Sequence, residues 1–127
     1  MPGKLLIATA LVETPIGVML LVLPAPVVAL LLGVSLEAPA ALVVARIAGA
    51  ALISLGCACW LARNDGASRA RGLVAAMLLY NCAAGAVLAH AAAGVRLVGV
   101  LMWPAVALHA VLAVWCVASL RRVVAVS

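Results

Sequence analysis

Four long apolar stretches, separated by short polar segments, constrain the fold of this chain more than any other feature. They cover about residues 5–23, 40–62, 69–92 and 97–120. Each provides about the 20 apolar residues that an α-helix needs to cross a bilayer. With 70% hydrophobic and 9% charged residues, the chain of 127 residues is too apolar for a soluble domain of this size. We therefore expect an all-α fold, a polytopic membrane four-helix bundle formed by one domain over residues 1–127.

Two prolines end the first stretch. Pro24 and Pro26 lack a backbone N–H and restrict the residues that precede them, so a regular helix does not continue through both. The apolar residues that follow, about 27–33, make up only about a third of a span. We expect them to form a short interfacial helix after the first span, lying along the membrane surface or against the bundle.

Basic residues are distributed unevenly between the apolar stretches. Only Arg96 lies on one side of the predicted spans, Arg46 lies within a span, and the connection 24–39 has no basic residue. The other six basic residues lie on the opposite side: Lys4, Arg63, Arg69, Arg71, Arg121 and Arg122. Cytoplasmic segments of membrane proteins collect Lys and Arg. This bias predicts a multi-pass protein of the bacterial inner membrane with both termini in the cytoplasm, and it explains the net charge of +5 without nucleic acid as a partner.

In each predicted span we single out one polar or ionisable residue at mid-helix, where hydrocarbon makes it costly. These residues are Glu13, Arg46, Asn81 and His109. From the helical rise, Arg46 lies about 10 Å from the periplasmic surface, Glu13 and Asn81 about 15 Å, and His109 about 18 Å. Each shares a helical face with small residues, which allow helices to approach closely. We expect the four to form an intramembrane polar layer and take them as candidate binding residues.

These four residues allow two interpretations. Two unpaired charges in lipid are costly, so we expect Glu13 and Arg46 to form an ion pair. The pair and its polar neighbours then either fix which helices face each other, or belong to a substrate site or a proton pathway. The same alternatives hold for His109, because one hydrogen bond to a neighbouring helix would also satisfy its ring.

The four cysteines match no redox or metal pattern. Cys57 and Cys59 are two residues apart on a helix and point in different directions, and neither a CxxC motif nor a zinc spacing occurs. A contact between Cys57 and Cys116 is one alternative, and burial as small hydrophobic residues is the other. Since no nucleophile–base pair or phosphate loop stands out either, we expect no catalytic residue, no metal and no cofactor.

The second stretch resembles a group of small bacterial membrane proteins. The residues that carry the likeness are Ala45–Leu52, Gly56 and Trp60–Ala62, with Gly17, Pro24 and Leu31–Gly33 earlier in the chain. In layout, and in an Arg followed by Gly in the second helix, they are similar to the DoxX-like and DUF4345-type families. The resemblance implies a four-helix bundle, and some DoxX-type proteins are associated with quinone-linked redox complexes. This chain shows no redox centre of its own.

A second resemblance is to the small multidrug-resistance transporters, which share four helices and a membrane-embedded glutamate in the first. The matching stretch is Ala10–Glu13, leading to Gly17. Two features argue against such a transporter. A pair with Arg46 would neutralise the carboxylate, and the bias of the basic residues fixes one orientation, whereas many of these transporters insert in both.

The sequence therefore predicts a non-enzymatic bundle that binds a small lipophilic molecule or serves as an accessory subunit of a membrane complex. Besides membrane lipid, the expected partners are another membrane protein or further copies of this chain. The alternative is a proton-coupled transporter of small solutes or drugs, for which Glu13 and His109 are titratable groups at a suitable depth.

Overall fold

The computed structural model describes residues 2–124, except for three side chains within its helices, those of Ala67, Val123 and Val124. This part of the chain is helical and has no β-strand, which confirms the predicted all-α fold. The helices are α1 (Pro2–Val22), α2 (Pro24–Leu32), α3 (Pro39–Leu61), α4 (Ala67–Ala93) and α5 (Met102–Val124), with a 3-10 turn at Ala62–Asn64. Within the described residues, the 4 helices α1, α3, α4 and α5 are long and apolar enough to cross a membrane. They fit a multi-pass membrane protein.

Prolines and a glycine set the limits of the short helix α2. Pro24 and Pro39 occupy the first turns of α2 and α3, where a helix has no intrahelical use for the missing N–H. α2 ends at Gly33, whose φ of 74° is left-handed and favours glycine. The break between α1 and α2 lies next to Pro24, as the sequence predicted, but α2 begins at Pro24 and not at about residue 27, because its first turn accommodates both prolines.

Residues 97–101 are not helical, so the last long helix begins at Met102 and not at residue 97 as expected. Within this segment, the N–H of Gly99 donates to the carbonyl of Leu31 at 3.0 Å, and a second bond of this kind follows it. The accepting carbonyls belong to the last turn of α2, where a helix leaves them without internal partners. This pairing keeps the segment out of α5 and holds α2 against the bundle.

The long helices form two antiparallel pairs. α1 lies along α3, and α4 lies along α5. α1 also contacts α4 and α5 and so joins the two pairs, whereas α2 covers one end of the bundle through contacts with α1, α3 and α5. α1 therefore presents two different faces, one to α3 and the other to α4 and α5.

The face of α1 that meets α3 is built on glycines. A Cβ added at Gly17 would lie 2.7 Å from the carbonyl oxygen of Gly49, and one added at Gly49 would lie 2.7 Å from that of Gly17. Gly56 packs against Thr14, whose side-chain hydroxyl is the nearest group to a Cβ added at Gly56. Small residues allow such backbone contact between membrane helices, where packing rather than hydrophobic burial drives association. We call this contact the glycine face of α1.

A buried core lies near the end of the bundle where α1 begins, and it joins α1 to α3, α4 and α5. The core residues are Leu5, Leu6, Ala10, Cys59, Ala70, Val74, Met77, Leu112 and Cys116. Many large apolar side chains lie on the outside instead, among them Leu61, Leu79 and Val114. An apolar outer surface fits helices that are surrounded by lipid, because lipid tails are as apolar as these side chains.

Candidate binding site

Glu13 lies on the side of α1 that packs against α4 and α5. Its side chain is 2% exposed, and the Tyr80 hydroxyl donates a hydrogen bond to Glu13 Oε2 across 3.3 Å. Hydrogen bonds of this type are usually about 2.5–3.0 Å long. At this length, the hydrogen bond orients the carboxyl group but is a weak link between α1 and α4.

Asn81 and His109 connect α4 with α5. The Asn81 Nδ2 donates to the carbonyl of Met77 at 2.8 Å, and Asn81 Oδ1 lies 2.9 Å from His109 Nδ1. The Tyr80 ring stands edge-on to the imidazole, with ring centroids 5.6 Å apart and an interplanar angle of 79°. Glu13, Tyr80, Asn81 and His109 therefore form one group across α1, α4 and α5, which we call the polar cluster.

Arg46 is not part of the polar cluster, and the predicted ion pair with Glu13 is wrong. The Arg46 side chain is exposed, and the hydrogen-bond partner of Glu13 is Tyr80. The reason is the register of the antiparallel pair, in which Thr14 packs against Gly56. Arg46 precedes Gly56 by ten residues in the sequence, which is about 15 Å along a helix. Helical periodicity predicts the face of a residue but not the register between two helices.

Tyr80 was not among the predicted site residues, although it links Glu13 with His109. It is the single tyrosine of the chain, next to Asn81 and in the middle of α4. Tyrosines of membrane helices are enriched at the interface, with the hydroxyl near water. A tyrosine in the middle of a span needs a buried partner for its hydroxyl. The position of Tyr80 at mid-span is therefore the sequence signal that could have identified it as a site residue.

A cavity of about 210 Å³ opens beside the polar cluster. Glu13, Tyr80 and His109 contribute its polar lining. The other lining residues are apolar and come from every helix except α4 and from the segment before α5: Val12, Ile16, Met19, Val27, Leu30, Leu31, Leu52, Leu101, Ala105 and Leu108. A mainly apolar pocket with a few convergent polar groups is typical of small-molecule sites.

The cavity extends from the polar cluster toward α2. Along α1 its lining continues from Glu13 to Met19, which lies closer to α2, and along α5 it continues from His109 back to Leu101. The polar groups therefore lie at the inner end of the cavity, and apolar side chains line the rest. This arrangement suits binding, because the polar end can orient a molecule whose body is held by apolar contacts.

The cysteines lie outside this cavity. Cys59 and Cys116 are buried in the core near the start of α1, whereas Cys57 and Cys82 are exposed, so the contact considered between Cys57 and Cys116 is not formed. Cys59 Sγ lies 3.6 Å from the sulfur of Met77. Within residues 2–124, no three side chains of His, Cys, Asp or Glu come together in a way that could hold a metal ion.

Comparison with family models, with curated proteins and with solved structures finds no match to this chain. The resemblances to the DoxX-like proteins and to the small multidrug-resistance transporters therefore stay predictions from the sequence.

Proposed function

We propose that this protein binds a small lipophilic molecule in the cavity beside the polar cluster. The observation that supports this most directly is a cavity of about 210 Å³ that is apolar over most of its lining and has polar groups at one end. An apolar cavity of about 150 Å³ is sufficient to bind benzene. The cavity is thus large enough for a single ring with short substituents.

Fluorine NMR of the purified protein in detergent micelles tests this proposal. We expect para-fluorotoluene to give a saturable bound resonance with one molecule per chain. Ala105→Trp fills the cavity from α5 and should abolish the bound resonance. Val111→Trp is the matched control, because Val111 is 62% exposed on the outside of the same helix, and should leave binding unchanged. No saturable binding, or binding that survives Ala105→Trp, would contradict the proposal.

We further propose that the protein lies in the bacterial inner membrane with the start of α1 and the end of α5 in the cytoplasm. The distribution of basic residues supports this orientation. In a background without native cysteines, an impermeant maleimide added from the periplasm should label Glu37→Cys, an exposed position before α3, but not Gly66→Cys. The opposite labelling pattern would refute the orientation.

A proton-coupled transporter is the second candidate. The ion pair that would have neutralised Glu13 is not formed, and Glu13 and His109 line the same cavity. A ligand can therefore compete with protons for these two titratable groups. In proteoliposomes with a pH gradient, a transporter would show proton flux driven by an amine such as benzylamine and lost in Glu13→Gln, whereas a binding protein would show none.

A further inference from the structure

We infer that the ligand of this cavity presents a hydrogen-bond donor, a hydroxyl or a protonated amine, to the polar cluster. This ligand class, which rests on the proposed function, follows from the polar atoms that the hydrogen bonds of the cluster leave free. With Glu13 ionised and His109 neutral, all of these free atoms are acceptors.

The hydrogen bonds of Asn81 determine which atom of His109 is free. The Met77 carbonyl only accepts, so the Asn81 group 2.8 Å from it is the NH₂ group of the amide. The amide oxygen then faces His109 Nδ1, and because this oxygen also only accepts, the proton of the ring is on Nδ1. In the neutral ring, Nε2 is left as an acceptor, and it has no hydrogen-bond partner among the described residues.

The oxygen atoms of the cluster are acceptors as well. Tyr80 donates its single hydroxyl proton to Glu13 Oε2, so the Tyr80 oxygen retains only lone pairs. Glu13 Oε1 accepts no hydrogen bond from residues 2–124, and in the ionised form of Glu13 this oxygen is an acceptor. Glu13, Tyr80 and His109 thus all offer acceptors to the cavity.

A ligand with donors satisfies these acceptors, whereas a ligand with acceptors alone leaves polar atoms unpaired on both sides. Unpaired polar groups in an apolar site weaken binding. The hydrogen-bond partner of Glu13 in the structure is the neutral Tyr80 hydroxyl. A protonated amine would in addition give Glu13 a positively charged partner. The donor group should therefore lie at the inner end of the cavity, with the apolar body of the ligand against Met19, Leu30 and Leu101.

Four fluorinated probes of similar size test this ligand class by NMR: para-fluorobenzyl alcohol, para-fluorobenzylamine, para-fluorobenzyl methyl ether and para-fluorotoluene. The signal in Ala105→Trp corrects each titration for partition into micelles. We expect the alcohol to bind roughly two- to tenfold more tightly than the ether, the amine at least as tightly as the alcohol, and the ether no more tightly than toluene.

Two variants link this preference to the cluster. Glu13→Gln introduces an amide donor and should reduce the preference for the alcohol over the ether. Cys82→Ala, at an exposed position of α4 outside the cavity, is the control and should retain it. The comparison of alcohol with ether in the wild-type protein tests the inference even where Glu13→Gln does not fold. An ether that binds as tightly as the alcohol, or a folded Glu13→Gln with an unchanged preference, would overturn the inference and leave the proposed binding intact. Failure of all four probes to bind would overturn both.

Discussion

The two faces of α1 hold the bundle together in different ways. Toward α3, the backbones touch at Gly17 and Gly49 with no side chain between them. Toward α4 and α5, the helices meet through the side chains of the polar cluster, and a cavity remains beside them. Backbone contact leaves no space for a ligand between the helices, whereas contact through side chains leaves space beside them. We therefore expect changes on the glycine face to affect folding, and changes at the polar cluster to affect binding as well.

The largest effect is expected from Gly49→Val on the glycine face. A Cβ at this position would lie 2.7 Å from both the Gly17 oxygen and the Leu21 nitrogen, and backbone atoms cannot yield as a flexible side chain can. We expect the free energy of unfolding to fall by about 3 kcal/mol or more. Unfolding in SDS, followed by circular dichroism, measures this change.

Gly72→Ala is the control for this substitution, because nothing lies within 4 Å of a Cβ added there. Its stability should equal or slightly exceed that of the wild type, since alanine favours the helix. A Gly49→Val protein as stable as Gly72→Ala would show that the glycine face does not pack as described.

A smaller loss of stability is expected from Asn81→Leu in the polar cluster. The substitution removes the hydrogen bonds to Met77 and His109 and leaves the imidazole Nδ1 without its partner. We expect the free energy of unfolding to fall by about 1–3 kcal/mol. Cys82→Ala, at the exposed neighbouring position, should change it little. Equal stability of the two variants would mean that these hydrogen bonds do not join α4 to α5.

Thr9→Val on α1 should raise stability, in contrast to Gly49→Val and Asn81→Leu. Thr9 is fully buried, and its hydroxyl oxygen has no hydrogen-bond partner among the described residues. Replacing an unsatisfied hydroxyl by a methyl group should stabilise the protein by about 1 kcal/mol. Thr14→Val, at a half-buried position of the same helix, should bring no such gain. Lower stability of Thr9→Val in the SDS titration would indicate that the hydroxyl has a partner.

The smallest effect is the coupling between Glu13 and Arg46. Because the two residues lie at different levels of the α1–α3 pair, Glu13→Gln and Arg46→Gln should change stability independently. A double-mutant cycle should give a coupling energy below about 0.5 kcal/mol. If one substitution rescued the stability lost through the other, this would show that Glu13 and Arg46 do form an ion pair, and it would contradict the register of the α1–α3 pair.

Local sequence signals were sufficient to predict the architecture. Apolar stretches of span length predict the long helices, and Pro24 and Pro26 predict the end of α1, because both signals act on neighbouring residues. The start of α5 depends on a bond between Gly99 and Leu31, which are distant in the sequence. Hydropathy contains no information on such a contact, so the expected start at residue 97 was wrong.

The candidate site could be predicted only in part. The cost of polar groups in lipid singles out Glu13, Asn81 and His109, which the structure brings into one cluster with Tyr80. The same criterion selects Arg46, although the register of α1 against α3 places it elsewhere. Since a cavity arises from the packing of several helices at once, its position and its lining could not be predicted from periodicity on single helices.

Photoaffinity labelling with a phenyl diazirine tests the central claim, a ligand cavity on the α4–α5 side of α1, most directly. Mass spectrometry should locate the label on lining residues such as Glu13 and Leu108, and excess para-fluorotoluene should suppress it. Labelling confined to lipid-exposed positions such as Val111 and Val114, and unaffected by the competitor, would contradict the claim.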